Sequence, residues 1–190
     1  MRTQEDLVTA PGFIPLGGAP ETPGSLPIQE ILNGEAPIRF DAAWSGHPFA
    51  RYAIHARVLG AKRYWFDALA PIMPLDLALA WSEADKDAVQ AVLSISQWNR
   101  WYRWRAKTLP LPASILNASM ANVHMIPATE ALRAALLSLD EGDRISLQGR
   151  LVDVHHTDGR IVKSSRSRND SGAGACEILY VERLARHHSA

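Results

Sequence analysis

The chain has one cysteine among its 190 residues, Cys176. A single thiol excludes an intramolecular disulfide and a cysteine-rich zinc site. No run approaches the roughly 18 uninterrupted apolar residues of a membrane-spanning helix. Met1–Asp6 also lack the apolar core of a signal peptide, so the expectation is a chain with neither span nor leader. Charge excess of either sign is missing: twenty Lys and Arg balance twenty Asp and Glu. The basic footprint of a dedicated duplex-DNA binder is therefore excluded for the chain as a whole, but not a local basic patch. Metal-ligand spacing is absent as well. His155 and His156 are adjacent, which on a strand sends them to opposite faces, and His187 and His188 sit at the end. No metal and no cofactor is expected.

What is present is ordinary globular composition, 47% apolar and 21% charged, enough for a core. Six of the twelve prolines fall in residues 1–37, which read as an extended arm. One globular domain is expected over 38–185, with a frayed tail over 186–190. Tyr52, Ile54, Ala56 and Val58 alternate as in a strand, and Gly60 breaks the pattern. Residues 76–81 suit a short helix after Pro74, and 82–94 a second one. Residues 95–105 read as a single strand, with Trp98, Arg100, Tyr102 and Trp104 on one face and Trp101, Arg103 and Arg105 on the other. Thr129 is a helix N-cap ahead of a Leu132, Ala135, Leu136 and Leu139 stripe. From Arg144 the period is β, with Gly149 marking a bulge or bend. Thr157-Asp158-Gly159 signals a hairpin, and 176–181 a buried strand. This order predicts an α+β fold: a small antiparallel β-barrel, OB-like or SH3-like, with two or three covering helices.

Between the last two strands lies a polar, glycine-rich segment from Ser164 to Glu177, with Ser165, Arg166, Arg168, Asp170, Gly172, Gly174 and Cys176. Together with Pro74–Trp81, Ile95-Ser96-Gln97, Trp101–Trp104 and the Asn122-Val123-His124-Met125-Ile126-Pro127-Ala128 stretch, it resembles an uncharacterised bacterial protein family over roughly residues 48–183. The resemblance implies a bacterial source and a single domain, often preceded in relatives by a membrane-anchoring leader, and carries no activity with it. The expected location is cytoplasmic, or periplasmic and membrane-tethered.

Two functional classes compete. Cys176 follows Gly172-Ala173-Gly174-Ala175, whose amides suit an oxyanion nest, and His124 is the base for a thiol nucleophile, with Asp170 or Asn122 to orient it. That logic is similar to the cysteine L,D-transpeptidases, although their tight Ser-His-Gly-Cys cluster is absent. A Ser119–Lys163 dyad is a weaker catalytic pairing. Against these stands a non-enzymatic binding or assembly module, which the sequence favours. There Ser165, Arg166, Arg168 and Asp170, with Trp98, Arg100, Trp101 and Arg103, face a protein, peptide or glycan partner. Binding of single-stranded nucleic acid ranks third because the net charge is zero.

Overall fold

The fold is a computed structural model, and the structure describes residues 5–20, 22–166 and 176–188. It is mostly β. The strands are β1 (Glu5–Thr9), β2 (Ile28–Ile31), β3 (Ile38–Arg39), β4 (Trp44–Arg63), β5 (Leu75–Ala80), β6 (Leu93–Trp98), β7 (Trp101–Ala106), β8 (Met120–Pro127), β9 (Arg144–His156), β10 (Ile161–Val162) and β11 (Glu177–His187). The helices are α1 (Asp87–Gln90), α2 (Ala113–Ala118) and α3 (Glu130–Leu137). No helix among the described residues is long and apolar enough to cross a membrane.

The pairings run in a circuit. β4 lies antiparallel to β5 on one side and to β9 on the other. β5 pairs antiparallel with β8, β8 runs parallel to β11, and β11 returns antiparallel to β9. Alternate residues of these five strands meet in the main core: Ile54 and Val58 from β4, Leu75, Leu77 and Leu79 from β5, Val123 and Met125 from β8, Ile145 and Leu147 from β9, Leu179 and Val181 from β11. Leu132, Leu136 and Leu139 join them. The Thr129 hydroxyl caps α3 by accepting the Leu132 amide at 3.2 Å, as the sequence predicts. Gly149 sits where β9 and the β11 backbone approach closely. A Cβ there would lie 1.9 Å from the Tyr180 carbonyl oxygen, beside the register shift between Val181 and Arg183. The Thr157-Asp158-Gly159 turn joins β9 to β10 with Gly159 at φ 94°.

The proline-rich segment 1–37 supplies two short strands, β1 on β11, ahead of Pro11-Gly12, and β2 on β4, between Pro27 and Gly34. At the other end, Arg186 and His187 are still paired in β11, and His188 meets Asp6 at 2.8 Å.

Several local expectations are corrected. Residues 75–80 form a strand, not a helix. Every residue of β5 is buried, so both faces are covered and the alternation that identifies a strand is masked by an apolar run. The expected helix over 82–94 is only a 3-10 turn (Ser82–Asp85) and the four residues of α1 before Leu93 opens β6. Residues 93–106 are not one strand but a β6–β7 hairpin, turning at Asn99 and Arg100 with φ of 44° and 64°. Positive φ at both central residues is the hairpin geometry that matches strand twist. β4 continues past Gly60 through a register shift instead of breaking, and a Cβ at Gly60 would press on the Gln97 side chain of the hairpin. Asn122–Pro127 is part of β8.

The hairpin accounts for the double burial. Leu93, Ile95, Tyr102 and Trp104 pack with Leu59, Ala78, Ala80, Leu116 and Met120 into a second cluster on the outer side of β4, β5 and β8. Polar residues on that outer side of β5 and β8 are thereby shut away from water.

Candidate functional site

Three polar residues share the covered face. On β8, Asn122 and His124 are two residues apart and so point the same way. Asp76 of β5 is the register partner of His124. Asp76 is 0% exposed. A buried carboxylate requires partners, and it has several. His124 Nδ1 donates to Asp76 Oδ1 at 2.7 Å, and the Arg100 guanidinium reaches the same oxygen at 3.4 Å. Asn122 Nδ2 donates to Oδ2 at 3.4 Å. The Tyr64 hydroxyl, which accepts the Arg100 amide at 2.9 Å, lies near the Asp76 side chain. Burial and the Asp76 charge raise that hydroxyl well above the ordinary phenol range.

The other side of the imidazole meets sulfur. Cys176, a half-buried thiol at the foot of β11, lies close enough to raise the imidazole, and Asn122 Nδ2 lies 3.7 Å from Sγ. The parallel β8–β11 register, with Ile178 opposite His124, brings the cysteine alongside. Burial pulls the His124 imidazole down, but the hydrogen bond to Asp76, the nearness of Cys176 and the charges of both outweigh it and push it up to about 9. At neutral pH the ring is therefore an imidazolium between a carboxylate and a sulfur. Tyr102 of the hairpin is close by: burial first, then the charges of Cys176 and Glu177, push its hydroxyl up to about 12. Gln97 closes the row by donating to Asn122 Oδ1 at 2.8 Å.

The structure places His124 and Cys176, the two residues of the catalytic expectation, near one another and sets Asp76 against the imidazole. Asp170, proposed from sequence to orient the ring, lies outside the described residues, as does Arg168. Asn122 is in place. Asp76 was missed, and its signal was a lone carboxylate inside Leu75-Asp76-Leu77-Ala78-Leu79.

The remaining expected site residues scatter. Arg100 faces inward from its turn, with its guanidinium on Asp67 at 2.9 Å and on the Met73 carbonyl at 2.9 Å. Ser165 is buried, and its amide donates to the Cys176 carbonyl at 3.0 Å, while Ser164 Oγ accepts the Ile178 amide at 2.9 Å. These bonds tie the two ends of the serine–arginine segment together. Arg166 pairs with Asp153 at 2.7 Å and covers the Phe49 ring at 3.3 Å. Trp98 and Trp101 are 42% and 44% exposed at the hairpin end, with Arg103 over the Trp98 ring. Ser119 is buried at the end of α2 and Lys163 is exposed, with no hydrogen bond between them among the described residues. His155 stacks on His47 at 3.9 Å and His156 packs edge-on against Trp44 at 4.4 Å. Among the described residues no group of three or more His, Cys, Asp or Glu is arranged to hold a metal.

No protein-family model, no curated protein and no solved structure matches the chain.

Proposed function

We propose that the chain is a thiol-dependent acyl-transfer enzyme, a hydrolase or transpeptidase, with Cys176 as nucleophile, His124 as acid and base, and Asp76 as the positioning residue that holds the imidazole. The observation that carries this reading is the Asp76–His124–Cys176 row, in which Asp76 holds the imidazole at 2.7 Å and the Cys176 thiol lies beside the ring. A thiol nucleophile works beside an imidazole that a third group orients. His124 takes the thiol proton, the sulfur attacks a carbonyl carbon and the C–N or C–O bond breaks. His124 gives its proton to the leaving nitrogen or oxygen, and a thioester stays on Cys176. Water or an amine then attacks the thioester, His124 takes up the proton released, and the sulfur leaves. Asn122 Nδ2, 3.7 Å from Sγ, is the candidate donor to the carbonyl oxygen that would develop charge.

The scaffold for this site is read as a small OB-like barrel. Support comes from five strands whose pairings return to their start, as in that partly open Greek-key barrel. The chain is taken as a bacterial protein of the family its motifs resemble; Asp76, Asn122, His124 and Cys176 all fall within those motifs.

The test is an ester probe. Mixing the protein with p-nitrophenyl acetate should release nitrophenolate in a burst stoichiometric with protein and leave acetyl on Cys176, read by mass spectrometry. His124→Gln should slow the burst on the order of a hundredfold, and Cys176→Ser should abolish it. Modification of Cys176 only after unfolding would overturn the reading. Partner recognition by the hairpin is a second reading, favoured by the exposure of Trp98 and Trp101. The two are compatible, because the inner face of the hairpin serves the thiol row and the outer face stays free.

A further inference from the structure

Beside the thiol row, and sharing Tyr64, Asp67 and Arg100 with its supports, lies an open groove of about 880 Å³. Three segments build it: the connection from β4 to β5, the tip of the β6–β7 hairpin, and β10. Its walls are aromatic. Tyr64, Trp65 and Phe66 come from the connection and Trp98 from the hairpin. Trp65 is 63% exposed and Phe66 99% exposed. Large aromatics held in water on one patch mark a surface that is covered in use.

The charge around this groove is one-sided. Lys62, Arg63, Arg100 and Arg160 line it against a single carboxylate, Asp67. Arg63 and Arg160 are balanced by Asp140 and Asp158, and Arg100 by Asp67 and Asp76. Lys62 has no carboxylate partner among the described residues. Trp98 carries the surface onto the outer face of the hairpin, where Trp101, Arg103 and Arg105 point outward. Arg103 and Arg105 likewise meet no carboxylate among the described residues. Residues 88–129 contain Arg100, Arg103, Arg105 and Lys107 and not one Asp or Glu. The zero net charge of the chain thus conceals a basic, aromatic strip.

We infer that this groove and the outer face of the hairpin bind single-stranded nucleic acid, with bases stacked on Trp65, Phe66, Trp98 and Trp101 and phosphates on Lys62, Arg103 and Arg105. Flat faces alternating with unpaired cations suit a flat, repeatedly anionic ligand, and only a single strand offers its base faces. A neutral glycan would leave the cations unused. The surface lies between the first two strands of the circuit and the connection to its last strand, where OB-type folds take oligonucleotides. This inference goes beyond the acyl-transfer reading and does not depend on it: the sulfur is read by acylation, the groove by binding.

The experiment is a fluorescence-anisotropy titration of the full chain against a labelled oligothymidylate of about a dozen nucleotides. Saturable binding is expected. Three phosphate contacts predict an affinity that falls roughly twenty-fold as salt rises from about 50 to 200 mM. Trp98→Ala and Trp65→Ala should each weaken binding on the order of tenfold, and Trp98→Phe should restore most of it in a protein of unchanged circular dichroism. Any of four results overturns the proposal: no binding at low salt; binding that ignores both tryptophan substitutions; equal affinity for a duplex of the same length; or selective, tryptophan-dependent binding of a sulfated oligosaccharide in place of the oligonucleotide.

Discussion

Replacing Asp76 with Asn tests the electrostatics of the thiol row most directly. In the folded chain the His124 imidazole is pushed up to about 9, against an ordinary value of 6.5. The folded protein therefore binds this proton more tightly than the unfolded chain does. The resulting stability is present in full below pH 6.5 and is lost as pH rises through about 9. At about 1.4 kcal/mol per unit the difference is worth roughly 3 kcal/mol, spread over that window. Asn at position 76 can still accept a hydrogen bond from Nδ1 but carries no charge. Burial then dominates, the imidazole falls below its ordinary value, and the slope between pH 6.5 and 9 disappears. Urea unfolding at constant ionic strength, run on both proteins from pH 6 to 9.5, gives the two slopes. Titration of the His124 ring by NMR gives the midpoint independently. Equal slopes in wild type and Asp76→Asn, or a wild-type midpoint near 6.5, would refute the argument.

Two further outcomes concern the scaffold. Gly149→Ala puts a methyl 1.9 Å from the Tyr180 carbonyl oxygen, backbone that cannot swing aside, and should cost about 3 kcal/mol or more in urea unfolding; a loss under 1 kcal/mol would show that β9 and β11 can part. Arg100→Gly relieves a left-handed residue, worth about 1–2 kcal/mol, but strands the fully buried Asp76 short of a partner at about 3–5 kcal/mol. The expected net is a destabilisation of roughly 2–3 kcal/mol, measured the same way, and a stabilised protein would mean that Arg100 does not hold Asp76.

Where periodicity, a cap or a turn acts locally, the sequence was legible. The alternation of β4, the α3 stripe behind its Thr129 cap and the Thr157-Asp158-Gly159 turn each follow from local periodicity or turn chemistry. Residues 75–80 were not, because the hairpin buries the face that would have been polar. The hairpin itself was hidden by its turn. Asn99-Arg100 has no glycine, and an arginine at φ 64° announces no reversal. At the site, Cys176 and His124 could be paired from chemistry alone. Asp76 could not, since an acid inside an apolar run reads as one polar position of a helix until both of its strands are placed. Arg100 was read as an outward ligand contact. Its guanidinium instead lies against Asp67, Asp76 and the Met73 carbonyl.

These misreadings share one cause, and it bears on function. The β6–β7 hairpin has a strict two-residue alternation of half-buried and exposed positions. Its inward set, Leu93, Ile95, Gln97, Tyr102 and Trp104, desolvates the outer side of β5 and β8, which is what turns Asp76 and His124 from solvated surface groups into a buried pair. Its outward set, Trp98, Trp101, Arg103 and Arg105, contributes little to that core and can vary in chemistry without disturbing it. One two-stranded insertion therefore builds the low-dielectric environment of the thiol row and at the same time displays an aromatic, cationic face. The pleat keeps the requirements separate, because a side chain on one face does not compete for the other. Arg100 is the exception: at the turn, where alternation ends, it lines the groove and also reaches the buried carboxylate. Through it, together with Tyr64, occupancy of the groove and the charge state of the row can be physically connected.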